Sequence, residues 1–344
     1  MNRQRAGRPL HTYSIVAVDR RSGEIGVAVQ SHWFSVGSVV PWAEAGVGAV
    51  VTQSFVNPAY GPEGLALLKA GRSPAEVVSE LTAADEGREL RQLAVIDRQG
   101  NAAAFTGSRC VPAAGHLVGD GYSVLANMMA AEEVWPAMAR AFEEKDLAPT
   151  GSGTDESADT GPGGGLGRDH RNGSHLGGSH LAEGLLAALQ AAQGAGGDLR
   201  GQQSAALLVV AVQASGKIWE DRRIDLRVED HPRPLDELAR LLKVFRAYEH
   251  MNRGDLAVEN QDTELALREY AAAERLCPDN LEMRFWHAVS LAGVGRAQES
   301  LPLFQEVFAA DPAWRVMARR IAALGLLALT DPALRALVTG RNRP

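Results

Sequence analysis

Hydroxyl and amide side chains collect near the ends of predicted β-strands in the first part of the chain. They are Ser31, Thr52, Gln53, Ser54 and Asn57. Polar groups at strand ends often line pockets, and an amide can donate a hydrogen bond to the oxyanion that develops during acyl transfer. The same residues also satisfy turns and caps, and Asn57-Pro58 is a turn signal. Gln53 and Asn57 are therefore candidate oxyanion or substrate contacts, and Ser31 and Thr52 are candidate substrate-binding residues.

A second polar segment, residues 201–204, precedes a predicted buried strand and follows Asp198 and Arg200. Its two amides and the charge pair could line a pocket, in which case Gln203 contacts the substrate. They could instead pin a loop, and this interpretation is favoured because buried amides usually satisfy backbone groups.

The sequence predicts neither a metal site nor a cofactor site. His170, His175 and His180 lie five residues apart in a glycine-rich stretch, without the accompanying cysteine or carboxylate spacing of an ordered metal site. The glycines match neither the dinucleotide fingerprint nor the phosphate loop.

Composition and charge exclude several classes of partner. The 344 residues carry a formal net charge of −7, which argues against a nucleic-acid surface. The two cysteines, Cys110 and Cys277, fall in different predicted domains, so a reducing compartment is favoured over a disulfide framework. No run approaches the ~18 apolar residues of a membrane span. We expect a cytoplasmic protein that binds neither nucleic acid nor membrane.

Hydrophobic periodicity predicts a mixed first domain over residues 12–242. Its predicted strands are residues 13–18, 24–30, 47–54, 92–97, 102–106, 122–125, 205–212 and 224–228. Its predicted helices are residues 60–68, 73–81, 132–142 and 181–192. Residues 1–11 are predicted to form a polar leader, and residues 149–179 a flexible Gly/Ser-rich insertion within the domain.

The remainder, residues 243–344, is predicted to be all-helical and repetitive. Pro278 and Pro312 lie 34 residues apart, which is the period of a tetratricopeptide repeat. The other positions that match at this offset are Ala266 with Ser300 and Tyr270 with Phe304. Two copies are fewer than the ~3 of a freestanding solenoid, so we expect the tail to dock on the first domain or on another chain. A homo-oligomer is compatible with this expectation.

Several long stretches of the first domain resemble one family, the Ntn-hydrolase-like proteins known as domain of unknown function 1028. The matching stretches are HTYSIVA (11–17), GEIGVAVQS (23–31), SVGSVVPWAEAGVGAVVTQSFVNPAYGPEGL (35–65), RQ (91–92), TG (106–107), AGHLVGDGYSVLANMM (114–129), GGDLRGQQSAALLVV (196–210) and DLRVEDHP (225–232). The match is specific because several unbroken stretches agree.

The resemblance implies a four-layer αββα sandwich for the first domain. The expected fold is therefore α+β, with the all-α tetratricopeptide-like region following the sandwich. Enzymes with this sandwich mostly cleave amide bonds, using the hydroxyl or thiol of their first residue and its own α-amine as base. The resemblance thus makes Thr12 the candidate nucleophile, and the alternative is that Thr12 is simply a β-branched residue of the first strand. Eleven residues precede Thr12, so this chemistry requires cleavage between His11 and Thr12 or a later start.

Two functions are compatible with these observations. One is hydrolysis of an amide or related C–N bond in a small polar substrate. The other is a catalytically silent sandwich that acts as a scaffold and binds a protein partner through the helical tail, since fold does not determine chemistry. The mature N-terminus distinguishes the two.

Overall fold

The computed structural model describes residues 12–147 and 180–340. The predicted leader (1–11) and the predicted insertion (149–179) lie outside the described residues. Contacts divide the chain into two compact units, Met1–Ala239 and Arg240–Pro344. In the part of the chain that is described, no helix is both long enough and apolar enough to cross a membrane.

The first unit is an α+β fold built on two antiparallel sheets. Its strands are β1 (Thr12–Asp19), β2 (Glu24–Ser31), β3 (Pro41–Glu44), β4 (Gly48–Ser54), β5 (Arg91–Asp97), β6 (Ala102–Thr106), β7 (Gly115–Gly119), β8 (Tyr122–Ala126), β9 (Ser204–Ala211) and β10 (Arg222–Val228). Its helices are α1 (Tyr60–Lys69), α2 (Pro74–Ala83), α3 (Val134–Leu147), α4 (Leu181–Gly194) and the short α5 (Ile218–Asp221). One sheet has the order β10-β9-β2-β1-β8-β7, and the other has the order β3-β4-β5-β6.

All eight predicted strands and all four predicted helices of this unit are present, and the structure adds β3, β7 and α5. The helix predicted over residues 132–142 begins later, at Val134, and continues to Leu147. Both added strands lie at the edge of a sheet. Edge strands are short and half-exposed, so their hydrophobic alternation is weak.

The two sheets face each other across a shared apolar core. Successive side chains of a strand point to opposite faces of its sheet, and the inner rows of β1, β2 and β9 meet those of β4 and β5. Val16, Val27 and Leu208 from the first sheet pack in one buried cluster with Val51 and Ile96 from the second. This core fixes the separation of the sheets.

Helices cover the outer face of each sheet. Helices α1 and α2 pack on the four-stranded sheet. The close approach of α1 requires glycine at position 61, because a Cβ there would lie only 2.3 Å from the Trp42 ring. Helix α4 packs on β1 and β2, and α3 packs on β7 and β8. The layers therefore follow the order helices, sheet, sheet, helices.

The second unit is all-helical, as predicted. It contains the C-terminal part of α6 (Pro234–Glu259), followed by α7 (Thr263–Leu276), α8 (Leu281–Gly293), α9 (Ala297–Ala310), α10 (Ala313–Ala323) and α11 (Pro332–Thr339). Buried residues recur along α7, α9 and α11 with a period of 34: Ala266 and Tyr270, Ser300 and Phe304, Leu334 and Val338. The spacing of buried positions thus occurs a third time in α11, beyond the two occurrences noted in the sequence.

A half-buried carboxylate ties α7 to α6. Glu269 lies 2.8 Å from Nε of Arg253 and 2.7 Å from Nδ1 of His250. Burial alone would raise the pKa of Glu269, but the hydrogen bonds from Arg253 and His250 outweigh it and hold that pKa below its ordinary value. A second carboxylate on α7, Glu274, makes similar contacts to an arginine and a histidine on α8.

Candidate functional site

The inner rows of the strands in the first unit are apolar along most of their length and polar at one end. Because side chains alternate, these polar ends meet between the two sheets. They are Thr12 and Ser14 on β1, Ser31 on β2, Gln53 on β4, Gln92 on β5, Thr106 on β6, His116 on β7 and Asn127 directly after β8. We refer to these eight residues as the polar cluster. All of them are buried except Thr106 and His116, which are half-buried.

Gln53 links the four-stranded sheet to the first strand of the other sheet. Its Nε2 donates to the backbone oxygen of Thr12 at 3.1 Å and to Oε1 of Gln92 at 2.6 Å. Its Oε1 accepts a hydrogen bond of 2.6 Å from the hydroxyl of Ser14. Both ends of this buried amide are therefore satisfied across the interface between the sheets.

Gln92, directly opposite Gln53 in the pairing of β4 with β5, forms a second link. Its Nε2 lies 2.9 Å from Oγ1 of Thr106, 2.9 Å from the backbone oxygen of Ala126 and 3.1 Å from that of Gly115. Its Oε1 also accepts from Nδ2 of Asn127 at 3.1 Å. Gln92 thus joins β5 and β6 to the strands β7 and β8 of the other sheet.

Thr12 is held through both its side chain and its main chain. Its hydroxyl donates to Oγ of Ser31 at 3.2 Å, the residue directly opposite in the pairing of β1 with β2. Its backbone oxygen accepts from Nε2 of Gln53 and, at 3.1 Å, from the backbone N–H of Asn127. Three other residues of the cluster, Ser31, Gln53 and Asn127, therefore hydrogen-bond to Thr12.

The polar cluster contains no carboxylate, lysine or arginine, and His116 is its one titratable side chain. Nδ1 of His116 lies 2.8 Å from Oγ1 of Thr106. Burial lowers the pKa of His116, which favours the neutral form of the imidazole. Within residues 12–147 and 180–340, no group of three His, Cys, Asp or Glu side chains could hold a metal ion. A site of this composition suits a neutral polar group such as an amide.

Thr12, Ser31 and Gln53, three of the residues predicted from the sequence, lie together in the polar cluster, whereas Thr52 and Asn57 do not. Thr52 precedes Gln53 by one residue and so points to the opposite face of β4. There its hydroxyl donates to the backbone oxygen of Asn57 at 3.2 Å. The side-chain oxygen of Asn57 accepts from the backbone N–H two residues later, which is the geometry of a turn.

Gln203, the sixth predicted residue, belongs to a segment that is pinned against the end of β2. Its backbone N–H donates to the oxygen of Ser31, and its side chain donates to Asp230 near the surface, both at 3.1 Å. Earlier in the same segment, the buried Asp198 accepts from Nη2 of Arg200 at 3.0 Å. These contacts are those expected of a fastened loop.

Five residues of the polar cluster were not among the predicted site residues: Ser14, Gln92, Thr106, His116 and Asn127. Their signal in the sequence is a polar residue at the end of a row of apolar residues spaced two apart. Gln92 is the polar residue in the row Gln92, Ala94, Ile96. Thr106 is likewise the polar residue that follows Ala102 and Ala104 in their row. The strands must first be assigned to facing sheets before these ends can be seen to meet.

The first unit matches the model of a family of unknown function, DUF1028, over residues 12–238. Since this match covers more than half of the chain, the protein belongs to that family. The crystal structure of a Silicibacter pomeroyi protein with the same family label is similar to this chain at 31% identity and a TM-score of 0.53. That similarity covers 68% of this chain and 85% of the bacterial protein. A search of the curated proteins found no match.

Proposed function

We propose that this protein is a hydrolase of the N-terminal-nucleophile type, which cleaves an amide or related C–N bond in a small polar substrate. Thr12 is the proposed nucleophile, made available by cleavage of the bond between His11 and Thr12. The observation that carries the proposal is that three buried polar residues, Ser31, Gln53 and Asn127, hydrogen-bond to Thr12 at the start of β1. The order of layers, with helices outside two facing sheets, supports an αββα sandwich of this enzyme type.

The proposed chemistry uses the main chain as its base. Oγ of Thr12 attacks the carbonyl carbon of the substrate while the free α-amine takes the hydroxyl proton. The amine then gives this proton to the leaving nitrogen as the C–N bond breaks, and water hydrolyses the resulting ester. Gln53 is proposed to hold the main chain of Thr12 in place, because its Nε2 donates to the backbone oxygen of Thr12 at 3.1 Å and its other N–H is taken up by Gln92. Ser31 is proposed to orient the hydroxyl of Thr12.

The test of this proposal is the mature N-terminus together with amide hydrolysis. The purified chain is expected to begin at Thr12, and Thr12→Ala is expected to stay unprocessed and to release no amine from a panel of small amides. Thr52→Ala is the matched control, since Thr52 directly precedes Gln53 on β4 but points away from the cluster. It should be processed and active. An intact mass for the full 344-residue chain in an active preparation would contradict the proposal.

A second candidate function is a scaffold that binds a protein partner through a tetratricopeptide-like tail. The third recurrence of buried positions, at Leu334 and Val338, favours it, because about three copies are needed for a stable repeat array. The test is a displayed-peptide screen of the full chain, repeated with a chain that ends at Ala239. Binding that requires residues 240–344 and survives Thr12→Ala supports the scaffold, and a screen without tail-dependent binding contradicts it.

A further inference from the structure

We infer that Asn127 is a positioning residue that orients the α-amine of Thr12 once that amine is free. This inference rests on the proposed function. It concerns an asparagine that lies immediately after β8 and whose side chain is almost fully buried, at 1% exposure.

The strand register brings Asn127 next to the main chain of Thr12. The pairing of β1 with β8 joins Tyr13 to Ala126, and it continues through the backbone hydrogen bond of 3.1 Å from Asn127 N–H to the oxygen of Thr12. In an antiparallel pair of this kind the two Cα atoms lie about 5.5 Å apart. The N–H and C=O groups of a strand residue point to the same neighbour, so the nitrogen of Thr12 also faces Asn127.

The side chain of Asn127 is half-satisfied. Its Nδ2 donates to Oε1 of Gln92 at 3.1 Å and lies 3.4 Å from the backbone oxygen of Thr12. Its Oδ1 is buried and has no hydrogen-bond partner among the residues that the structure describes. Buried acceptors without a donor are rare in native proteins. Cleavage before Thr12 replaces one peptide N–H by an amine with two or three, and so supplies the missing donor.

An amine that donates to Oδ1 of Asn127 is fixed in orientation, and its lone pair can then point toward the hydroxyl of Thr12. In the attack step the proton moves from Oγ to this nitrogen, the new bond joins Oγ to the carbonyl carbon, and the π electrons of the carbonyl move to its oxygen. Asn127 changes neither its bonds nor its charge. Its contribution is to hold the amine and, as an acceptor, to favour the protonated form.

Two other titratable groups near Thr12 already have partners. Beside the end of β2, Asp198 is paired with Arg200 and also accepts from the backbone N–H of His32. On the inner face, His116 bonds to Thr106, on a different strand from Thr12. A charge introduced at Asn127, which is hydrogen-bonded to the main chain of Thr12, should therefore act directly on the amine.

The experiment measures the pKa of the Thr12 amine in a chain that starts Met–Thr12, from which methionine aminopeptidase removes the methionine. Labelled threonine reports the titration through the Cα chemical shift of Thr12, assigned by comparison with Thr12→Ser. Asn127→Asp keeps the shape of the side chain and places a carboxylate at the amine, so the midpoint should rise by about one pH unit or more. Asn127→Ala removes the acceptor, so the midpoint should fall below that of the parent chain.

Asn260→Asp, the same chemical change at an exposed position of the second unit, should leave the midpoint unchanged. If Asn127→Ala does not fold, the inference is tested by comparing the midpoint of Asn127→Asp with those of the parent chain and of Asn260→Asp. Midpoints that agree in the parent and in Asn127→Asp would overturn the inference. Failure of the proposed function is a separate result. In that case the midpoints of the parent chain and the Asn127 variants follow the expected order, but the protein hydrolyses none of the amides.

Discussion

Replacing Gln92 with leucine tests whether the polar cluster fastens the two sheets to each other. Leucine is close to glutamine in volume but removes four hydrogen bonds, two that the amide nitrogen can donate and two that Oε1 accepts. At about 1 kcal/mol each, these bonds amount to about 4 kcal/mol. Greater apolar burial by leucine returns about 1 kcal/mol. The expected loss, about 3 kcal/mol, is a large fraction of the 5–15 kcal/mol that is typical of a domain.

Hydrogen exchange of the full chain measures this loss in the first unit without assuming that both units unfold together. Every 1.4 kcal/mol corresponds to a factor of ten, so the most protected amides of β1 and β8 should exchange on the order of 100-fold faster in Gln92→Leu. Gln99→Leu is the matched control, since Gln99 is exposed in the turn between β5 and β6. Equal exchange rates in the two variants would refute the idea that the cluster holds the sheets together.

Three further changes test other parts of the structure. Gly61→Ala places a methyl group 2.3 Å from the Trp42 ring, so chemical denaturation should show the first unit destabilised by about 1–3 kcal/mol. Gly194→Ala is the control, because its methyl group meets nothing within 4 Å, and it should be neutral or slightly stabilising in the same assay. Burial lowers the pKa of His116, and this pKa rises to its ordinary value when the protein unfolds. The free energy of unfolding should therefore decrease as the pH drops below about 6.5. His116→Gln should make the free energy of unfolding less dependent on pH in that range. The pKa of Glu269 is lowered, so its stabilisation should be present at neutral pH and be lost below about pH 4.5. Glu269→Gln should cost the second unit about 1 kcal/mol at pH 7 after allowance for solvent screening, and an unchanged melting temperature at that pH would contradict the role of this ion pair.

The central strands could be predicted from the sequence because their apolar rows are long and strictly alternating. The two strands that were not predicted, β3 and β7, are the edges of their sheets. β3 begins with Pro41, a residue that ordinarily argues against a strand but is tolerated at the first position of an edge. β7 is only five residues long and begins and ends with glycine. Both owe their conformation to a neighbouring strand rather than to their own side chains.

Only some residues of the polar cluster were predicted from the sequence. The reason is that a polar residue type does not show to which face of the sheet its side chain points. Thr52 and Gln53 are adjacent polar residues at the end of one strand, and residue type alone treats them alike. The period of two sends Gln53 into the space between the sheets and Thr52 toward α1. Gln92 and Asn127 were missed because their partners lie far away in the sequence. Such contacts follow from the order of the strands, which local patterns do not contain.

The proposed chemistry depends on a group that no side-chain pattern reveals. Among the described residues, the polar cluster offers Thr12 hydroxyl and amide neighbours but no carboxylate, and its one histidine is on another strand and bonds to Thr106. A threonine hydroxyl needs a base to become a nucleophile near neutral pH. In this environment the base must come from the main chain, and a main-chain amine exists at Thr12 only after the preceding bond is cut. A neutral cluster of hydroxyl and amide groups around Thr12 is therefore consistent either with a silent interior that stabilises the sheets or with an enzyme activated at its N-terminus. These two alternatives differ in one measurable property, the N-terminal residue of the mature protein.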